Sequence, residues 1–490
     1  MLPTMPPKTL PFPLCLRSQR SLALVLVLPW LLSACAVSAP PPAVSPQVAS
    51  TWQAPLQAAA AELPHGGTVQ DLGNWWAAQG DPALARLVRE AQAASPSVAS
   101  AAARIAQARA VRRAADADAT PSLEGVGSVS RSRSQQPGVA APSIVGSGQI
   151  GLQAAWEVDL FGGNRASRSA AGERLAGAQA QWHDARVSVA AEVASQYHAL
   201  RTCGQLEAVT RADATSRAET ARLAELSRDA GFTAPATAAL ARASAAEANA
   251  RATEQRGRCE RDTKALVALT AMDEPALREL LSTTRPAAMP RSLAVSSVPA
   301  DLLAQRPDVF AAEREVAAAS ADVGAANAAR FPRLSLQGSV GRSGLRLNGD
   351  TSELSTWSVG PLALSVPVFD GGRRRANVEA AQARYVEAAA LYRAQARNAV
   401  REVEQALVSL DATAERARDV QTAVAGFQAS FNGTEARYRS GLASLVELED
   451  ARRQLLAAQT TEAGLQLERL NAWVALYRAL GGGWTRADAL

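Results

Sequence analysis

The sequence presents the same series of motifs twice, and this internal repeat limits the possible folds more than any local feature. Four pairs of corresponding residues recur at nearly one offset, 208 to 211 positions: Pro96 and Pro307, Pro121 and Pro332, Phe161 and Phe369, and Gly231 and Gly441. Ordered matches at one offset indicate a duplicated unit. We therefore expect two halves of the same architecture: a helix, a β-hairpin and a long α-helical hairpin.

The β-hairpin is clearest in the second half. Apolar residues alternate with polar ones through Leu334, Leu336 and Val340, and the alternation resumes at Leu362 and Leu364 after a Gly/Asn/Asp loop. A period of two with turn residues between the runs predicts two antiparallel strands. The predicted strands lie at about 120–134, 148–161, 332–346 and 355–369. Each is long enough for a tilted membrane strand, which needs about 9–11 residues.

A long helical hairpin is predicted after each strand pair. The segments 164–230 and 373–440 contain no proline, so each helix could extend roughly 100 Å at 1.5 Å per residue. The first hairpin is predicted at about 164–280 with its turn at Gly231, and the second at about 373–480 with its turn at Gly441. Glycine at these points supplies the left-handed conformation that ends a helix. Such long alanine-rich helices must pack against neighbours.

The N-terminus resembles an export signal. Basic residues precede a short apolar run that ends in "LSAC", and Cys35 closes this lipobox pattern. We predict that Cys35 is lipidated and is the first mature residue. The alternative is an uncleaved anchor helix, but the apolar run falls short of the roughly 20 residues that a spanning helix needs. The predicted segments are a signal peptide at 1–34, a lipidated tether at 35–70, repeat 1 at 71–282, a linker at 283–300, repeat 2 at 301–483 and a tail at 484–490.

The charge of the chain gives no indication of nucleic-acid binding. The formal net charge is +5, and removal of the leader takes away Lys8, Arg17 and Arg20 and no acidic residue, which leaves +2. The remaining arginines alternate with carboxylates along helices, as on solvated helical faces. We therefore predict no nucleic-acid partner.

Two cysteines remain in the mature chain, and their spacing predicts a disulfide. Cys203 lies 28 residues before Gly231 and Cys259 lies 28 residues after it. Residues equidistant from the turn of an antiparallel hairpin face each other, here about 40 Å from the turn. In an oxidising compartment such a pair is expected to bridge. The alternative is two free, buried thiols.

The repeated segments closely resemble one family. "RPDVFAAEREVAAASADVGAANAARFPRLSLQGS", "VPVFDGGRRRANVEAAQA", "YRSGLASLVELEDARRQLLAAQ" and "LYRALGGGW" resemble the TolC-like outer-membrane efflux proteins, and the nearest branch is the OprM/NodT-type lipoproteins of resistance-nodulation-division (RND) pumps. This resemblance implies a mainly α protein with a membrane β-barrel portion. It also implies a homotrimer with a 12-stranded β-barrel and a periplasmic α-barrel. Four strands alone cannot close a barrel, and an open sheet edge cannot face lipid.

The function implied by the resemblance is a passive outer-membrane exit duct for small toxic compounds. Its expected partners are a periplasmic adaptor, an inner-membrane RND transporter and outer-membrane lipid. The runner-up is the outer-membrane channel of a type I protein secretion system, and a periplasmic adaptor lipoprotein is a further alternative. Adaptors usually carry one α-hairpin inserted in a small β-domain, whereas this chain predicts two. The identity of the exported substrate is not readable from the sequence.

The resemblance also implies that residues of the second hairpin form a periplasmic gate. Val446, Asp450 and Arg453 match the apolar ring, aspartate and arginine that close the tip in the OprM-like branch, and Glu447 and Asp450 match two acidic positions of the TolC constriction. The spacing places these residues on one helical face. A threefold axis would turn each into a ring, and two acidic rings favour cations. The alternative is a surface face with two ion pairs, Asp450–Arg453 and Glu449–Arg452.

The first hairpin departs from the family pattern at the equivalent positions. Thr237 and Leu240 stand where the second hairpin has Glu447 and Asp450, and Ala443 stands at the TolC arginine position, although Tyr438 keeps a tip tyrosine. An ion-pair lock between Thr237 and Ala443 is therefore impossible. We expect a gate that depends on the second hairpin alone.

No catalytic or cofactor-binding constellation is found in the sequence. "GSGQIG" at 146–151 fits a dinucleotide fingerprint by letters, but a loop precedes it and a strand follows it, the reverse of what that motif needs. The histidines His65, His183 and His198 have no ligand partners at metal-binding spacing. We predict no enzyme activity, no cofactor and no metal site.

Overall fold

The computed structural model describes residues 38–48, 53–54, 76, 80–135, 143–284, 306–347, 350–484 and 486. The predicted signal peptide, Cys35 and most of the predicted tether and linker lie outside these residues. In chain order the elements are α1 (Pro82–Ala94), α2 (Pro96–Ala117), β1 (Ser122–Ser134), β2 (Ser143–Val158), α3 (Gly163–Asp229), α4 (Pro235–Thr270), α5 (Glu274–Thr283), α6 (Pro307–Ala328), β3 (Arg333–Leu347), β4 (Asp350–Ser365), α7 (Arg373–Arg439), α8 (Leu445–Ala479) and a 3-10 turn (Gly481–Gly483).

The order of elements in the two halves is the same. The series α2–β1–β2–α3–α4 in the first half corresponds to α6–β3–β4–α7–α8 in the second, and α3 and α7 each contain 67 residues. The prediction of a mainly α chain with two strand pairs is confirmed. Among the described residues, no helix combines the length and the apolar character that a membrane-crossing helix requires.

Two strands differ from their predicted bounds. β2 begins at Ser143 and β4 at Asp350, each about five residues earlier than predicted, because the hairpin ladders continue up to the pairs Ser134–Ser143 and Leu347–Asp350. Both strands also end earlier, at Val158 and Ser365, because the following residues turn the chain into a helix.

An aspartate organises each of these strand-to-helix turns. Asp159 accepts hydrogen bonds from the backbone N–H groups of Asn164 and Arg165, at 3.2 and 2.8 Å. In the second half Asp370 accepts from the N–H groups of Gly372 and Arg374, at 3.0 and 3.2 Å. A carboxylate at this point satisfies N–H groups that the first helical turn leaves unpaired. The same local chemistry therefore starts both long helices.

The chain forms two compact units, and each contains segments of both halves. Of the described residues, those within 38–42, 113–170 and 319–385 belong to the first unit, and those within 43–112, 171–318 and 386–486 to the second. All four strands lie in the first unit, in one antiparallel sheet of order β1-β2-β3-β4. The strands of the two halves thus meet at the β2–β3 pair.

The two faces of this sheet differ in polarity. Residues directly opposite each other in an antiparallel pair share a face. One face carries most of the large apolar side chains, and several are highly exposed, among them Val129 (90%), Ile150 (72%), Trp357 (78%) and Val359 (80%). The other face is rich in serine, with cross-strand hydroxyl pairs Ser130–Ser147 (2.8 Å) and Ser339–Ser358 (2.9 Å). The sheet therefore has an apolar face and a serine-rich face.

The β2–β3 pair contains a close backbone approach on the serine-rich face. Gly151 and Gly341 are directly opposite each other. A Cβ added to Gly151 would lie 2.7 Å from the Val340 carbonyl oxygen, and one added to Gly341 would lie 2.8 Å from that of Ile150. Only glycine allows strands to approach this closely.

The described part of the predicted tether has no regular secondary structure, and side chains of the first unit bind its carbonyl groups. Asn327 Nδ2 donates to the Ser38 carbonyl at 2.9 Å, and the Tyr385 hydroxyl donates to the Pro41 carbonyl at 2.9 Å. These bonds hold the extended segment against α6 and α7.

The main core of the second unit surrounds the middle of α3. Tyr197 and Leu266 are almost fully buried there together with residues of α1 and α8, including Leu84, Leu87 and Leu476. Asp81 caps α1 by accepting from the N–H groups of Ala83 and Leu84, and it also accepts the Tyr197 hydroxyl proton at 2.6 Å. Burial together with this bond raises the pKa of Tyr197. This buried hydrogen bond fixes α1 against α3.

Candidate functional site

Both long hairpins turn at the predicted glycines. Gly231 has a φ of +82° and Gly441 a φ of +74°. After α3, the Gly231 N–H donates to the Arg228 carbonyl and the Phe232 N–H to that of Ser227; after α7, Gly441 and Leu442 donate in the same pattern to Tyr438 and Arg437. This paired pattern is the Schellman motif, which requires a left-handed residue. Gly231 and Gly441 therefore terminate α3 and α7.

The four residues of the predicted gate lie on one exposed face at the start of α8. Val446 is 62% exposed, and Glu447, Asp450 and Arg453 are also exposed. The intervening Leu445 and Leu448 are buried. Asp450 Oδ1 accepts from Arg453 Nη2 at 3.2 Å. The structure thus places Val446, Glu447, Asp450 and Arg453 together at the beginning of the helix.

Glu447 has a local partner that distinguishes it from the other three residues. Its carboxylate accepts from the Ser444 N–H at 2.6 Å, while the Ser444 hydroxyl accepts from the Glu447 N–H at 3.2 Å. This reciprocal capping box satisfies two N–H groups at the start of α8. The hydrogen bonds from Ser444 lower the pKa of Glu447. Glu447 therefore stabilises the helix start, whatever further role it has.

Both ion pairs of the alternative prediction are present, but they differ in environment. Asp450 and Arg453 are exposed, with side-chain exposures of 55% and 72%. Glu449 and Arg452, one residue earlier in each case, are 12% and 4% exposed and lie 3.0 Å apart. The exposed pair is accessible to another molecule, whereas the buried pair is part of a larger cluster inside the protomer.

This buried cluster connects the two hairpins and was not predicted. Arg217 of α3 pairs with Glu449 of α8, and it also pairs with Asp213 of its own helix at 2.9 Å. Ser244 of α4 donates to Glu449 at 2.7 Å. We name this group, together with Arg452, the inter-hairpin cluster. Its members come from both halves of the chain.

Arg452 extends the inter-hairpin cluster to the remaining helix. Its guanidinium donates to the hydroxyls of Ser216 and Thr220 on α3, both at 2.9 Å. The same group lies over the ring of Phe431 on α7, 5.8 Å from the centroid. All four hairpin helices therefore contribute to the cluster. The sequence prediction included the Glu449–Arg452 pair of α8 as an alternative but did not connect it to Arg217 of the first hairpin.

A sequence signal for the cluster exists. Arg452 occupies the buried stripe of α8 formed by Leu445, Leu448 and Leu455. An arginine in such a stripe is rarely buried without a partner. Its partner Thr220 on α3, however, lies 232 positions earlier in the chain, so periodicity within one helix could not identify that contact.

Cys203 and Cys259 form a disulfide between α3 and α4. Their Cα atoms are 5.5 Å apart, within the range of ordinary disulfides. Both residues are buried. Gln255 donates from Nε2 to the Cys203 carbonyl at 3.4 Å. The register of the hairpin thus brings together the two cysteines that are equidistant from Gly231.

A second charged cluster in the second unit surrounds the start of α6. The buried Arg306 pairs with Asp308 at 2.6 Å and with Glu402 of α7 at 2.9 Å, and it donates to the Ala479 carbonyl at 3.0 Å. Asp184 of α3 lies nearby without such an arginine contact. Burial, followed by the charge of Asp308, raises the pKa of Asp184 to about 6. This carboxylate is therefore the least compensated member of the group.

The described residues offer no metal site, since no group of three or more His, Cys, Asp or Glu side chains among them is arranged to hold an ion. His198 is an example of a histidine in a packed environment, where burial lowers its pKa to about 4. His65 lies outside the described residues.

Comparison with known proteins gives one consistent result. A sequence model of the family described as outer membrane efflux protein matches residues 87–272 and again residues 298–482. The solvent efflux pump outer membrane protein SrpC of Pseudomonas putida is 33% identical over 83% of this chain and 86% of its own length. The outer membrane protein OprJ of Pseudomonas aeruginosa is 31% identical over 95% and 96% of the two chains.

Solved structures agree with these sequence relatives. The outer-membrane channel OprN superimposes with a TM-score of 0.81 and 30% identity, covering 92% of this chain and 100% of that chain. The sequence prediction of family and of a non-enzymatic efflux role is confirmed. The chain belongs to the outer membrane efflux protein family and is an outer-membrane component of an efflux system.

Proposed function

We propose that three copies of this chain form the outer-membrane exit duct of an RND-type tripartite efflux pump. The observation that carries this proposal is the four-stranded sheet with its apolar face and two unpaired edges, β1 and β4. Pairing of β4 in one copy with β1 in the next satisfies both edges, and three copies give twelve strands. A closed barrel is the one form in which a sheet can cross a membrane.

The two faces of the sheet support this arrangement. In a twelve-stranded barrel the apolar face would contact lipid and the serine-rich face would line the pore, as in membrane barrels whose interior is polar. The middle of the serine-rich face offers mainly serine, glycine and glutamine side chains, and charged residues such as Glu124 and Asp350 lie toward its ends. A passive conduit of small toxic compounds is the function that such a wall supports.

The long hairpins would form the periplasmic α-barrel of the same trimer. α3 and α7 each contain 67 residues, which corresponds to about 100 Å. We propose that the exposed residues Val446, Asp450 and Arg453 meet their symmetry mates around the threefold axis and close the duct. The exposed Asp450–Arg453 pair supports this role because both groups are available to a neighbouring copy.

The proposed partners follow from the kind of relative that this chain resembles. SrpC is named as the outer membrane protein of a solvent efflux pump, and a further relative, OpmQ of Pseudomonas aeruginosa, is named for pyoverdine export. We propose a periplasmic adaptor and an inner-membrane RND transporter as partners of this chain. Lipidation at Cys35 is part of the proposal and would add a lipid anchor to the barrel.

The experiment uses the full-length protein purified from membranes. Its mass in detergent is expected to be three times that of one chain, and in planar bilayers it is expected to conduct only in small or brief steps while the tip is closed. A deletion strain is expected to become sensitive to small toxicants. A monomeric, non-conducting protein would refute the duct, and a defect confined to export of a secreted protein would favour the type I secretion alternative.

Radiolabelled fatty acid tests the lipid anchor separately. Incorporation is expected in the wild type and is expected to disappear in Cys35→Ser. Equal labelling of both proteins would refute lipidation at this residue without affecting the proposed duct.

A further inference from the structure

The apolar face of the sheet ends in a group of arginines. The cross-strand register places Arg131 and Arg133 of β1 on this face, and Arg342 and Arg346 of β3 lie on the same face. All four side chains are exposed. Arg131, Arg133 and Arg346 lie in the rows nearest the hairpin loops, and Arg342 lies two rows nearer the helices, opposite Ile150. Val129 lies in the row between, and the other apolar rows continue toward the helices. We name the four arginines the arginine rows.

The register also fixes how close the arginines lie. Gly146 of β2 is opposite Arg131 on one side and Arg346 on the other. Adjacent strands are about 4.8 Å apart, so the Cα atoms of the two arginines are separated by about 10 Å. Gly146 has no side chain, so the space between the two guanidinium stems stays open. A chemical group a few ångströms across that lies between the two arginines can therefore be contacted by both guanidinium groups.

The charge of the arginine rows is not compensated by the protein. Glu353 of β4 is opposite Gly344 and is the acidic residue of this face in these rows. Within the described residues, no ion pair or hydrogen bond joins any of the four guanidinium groups to a protein carboxylate. Four arginines and one glutamate therefore leave a net charge of +3 on a surface that continues into exposed leucine, valine and tryptophan.

The internal repeat relates two of these four arginines. Arg131 and Arg342 are 211 positions apart, the offset that relates the two halves. Each half therefore contributes an arginine at the corresponding position of its first strand, and a trimer would carry this position six times around the barrel. In the sheet register Arg131 and Arg346 share a row, Arg133 lies one row nearer the hairpin loops, and Arg342 lies two rows nearer the helices.

We propose that Arg131, Arg133, Arg342 and Arg346 bind the phosphate groups of lipopolysaccharide in the outer leaflet. The inference rests on the proposed function, in which the apolar face contacts lipid and the helices lie in the periplasm. The arginine rows then lie at the level of the outer-leaflet head groups. Arginine stems pack along apolar surface while their charged ends reach the interface, and guanidinium binds phosphate through two parallel hydrogen bonds.

The test measures binding of two glycolipids to the purified trimer in detergent. The probes are diphosphoryl lipid A and the same lipid after enzymatic removal of both phosphates. Wild-type protein is expected to bind the diphosphoryl form more than tenfold more tightly. The double variant Arg131→Gln/Arg346→Gln is expected to lose more than tenfold in affinity for that form, since each arginine near an anionic surface contributes roughly fivefold.

Two matched variants control for folding and for general charge. Arg131→Lys/Arg346→Lys keeps the charge and is expected to stay within about threefold of the wild type. Arg256→Gln/Arg397→Gln removes two exposed arginines from α4 and α7 and is expected to bind as the wild type does. Inorganic phosphate at equal concentration is expected not to compete, because it lacks the acyl chains that contact the apolar face.

Equal affinity of the wild-type trimer for the two glycolipids would overturn the inference. So would an equal loss of affinity in the double variant on the helices. If Arg131→Gln/Arg346→Gln fails to form trimers, the inference is still tested by comparing the affinities of the wild-type trimer for the two glycolipids. A trimer that conducts but does not distinguish the lipids would refute only the arginine rows, whereas failure to form a conducting trimer would refute the proposed duct.

Discussion

Two ion pairs on α8, one residue apart, have opposite surroundings. Glu449–Arg452 is buried and is linked to Arg217 of the other hairpin, whereas Asp450–Arg453 is exposed and, among the described residues, forms its hydrogen bonds within α8. An exposed pair contributes about 0–1 kcal/mol to stability, whereas removal of one partner from a buried pair costs about 3–5 kcal/mol. The same spacing on one helix therefore serves two purposes: the buried pair maintains the hairpin assembly, and the exposed pair can be rearranged at little cost.

The largest effect on stability is expected from removing the carboxylate of the buried ion pair. Glu449→Ala leaves Arg217 and Arg452 without their shared carboxylate, so we expect a destabilisation of about 3–5 kcal/mol. The measurement is the midpoint of thermal unfolding of the helices, followed by circular dichroism in detergent. Asp450→Ala is the matched control and is expected to change stability by at most about 1 kcal/mol. Similar losses in both variants would show that burial does not distinguish the two pairs.

The Cys203–Cys259 disulfide links α3, the helix that contains Arg217, to α4. Its removal tests the stability of the first hairpin independently of the ion pairs. Cys203→Ser/Cys259→Ser opens a loop of 56 positions, and the chain-entropy estimate for a loop of this size is about 4 kcal/mol before native strain is subtracted. We expect a lower unfolding midpoint and unchanged conductance. Peptide mapping without reduction checks the bond itself. Recovery of both cysteines as alkylated thiols would contradict it.

Asp184 represents a third situation, a partly buried carboxylate that forms no ion pair among the described residues, although the charges of Arg306 and Arg478 act on it. Its folded pKa of about 6 lies above the ordinary value of 3.8, so the unfolded chain releases this proton more readily. Stability is therefore expected to fall as the pH rises from about 4 to about 6 and to stay lower above that, by at most about 3 kcal/mol.

Asp184→Asn tests this sign. The variant is expected to be more stable than the wild type at pH 7 and equally stable at pH 4, as measured by thermal unfolding at the two pH values. Asp308→Asn is the contrasting variant, because Asp308 is paired with Arg306 and its pKa is lowered by that contact despite burial. It is expected to be less stable than the wild type at pH 7. A destabilised Asp184→Asn at pH 7 would contradict the prediction.

The smallest effect on stability, but the largest on conductance, is expected from the exposed pair. If Asp450 and Arg453 close the tip of the trimer, Asp450→Ala and Arg453→Ala should each increase single-channel conductance in planar bilayers. Cells that express them should also become more sensitive to large antibiotics. Arg439→Ala, an exposed arginine near the same turn, is the control. Wild-type conductance in both single variants and in the double variant would exclude this pair from closure.

The sequence predicts features that depend on backbone chemistry or on a constant offset. Gly231 and Gly441 terminate helices because no other residue adopts a left-handed conformation so readily, and the absence of proline predicts helices of 67 residues. The position of Cys259 follows from Cys203 and Gly231 by counting alone. The cluster around Arg217 and Glu449 could not be predicted in this way. The cluster depends on how the two hairpins, which come from different halves of the chain, are rotated relative to each other. A local sequence pattern indicates only which face of one helix is apolar.

The glycine pair of the β2–β3 ladder has a consequence for the proposed pore. Gly151 and Gly341 mark the seam between the two duplicated halves, and added side chains would collide with the facing backbone there. Between Val126 and Thr356, which lie in the same row, the wall at the seam therefore consists of peptide groups, which present the same dipoles to every solute. The two seam glycines therefore cannot select cargo through side chains. We expect any selection by this duct to depend on neighbouring side chains such as Ser339 and Gln149, or on the partner that delivers the cargo.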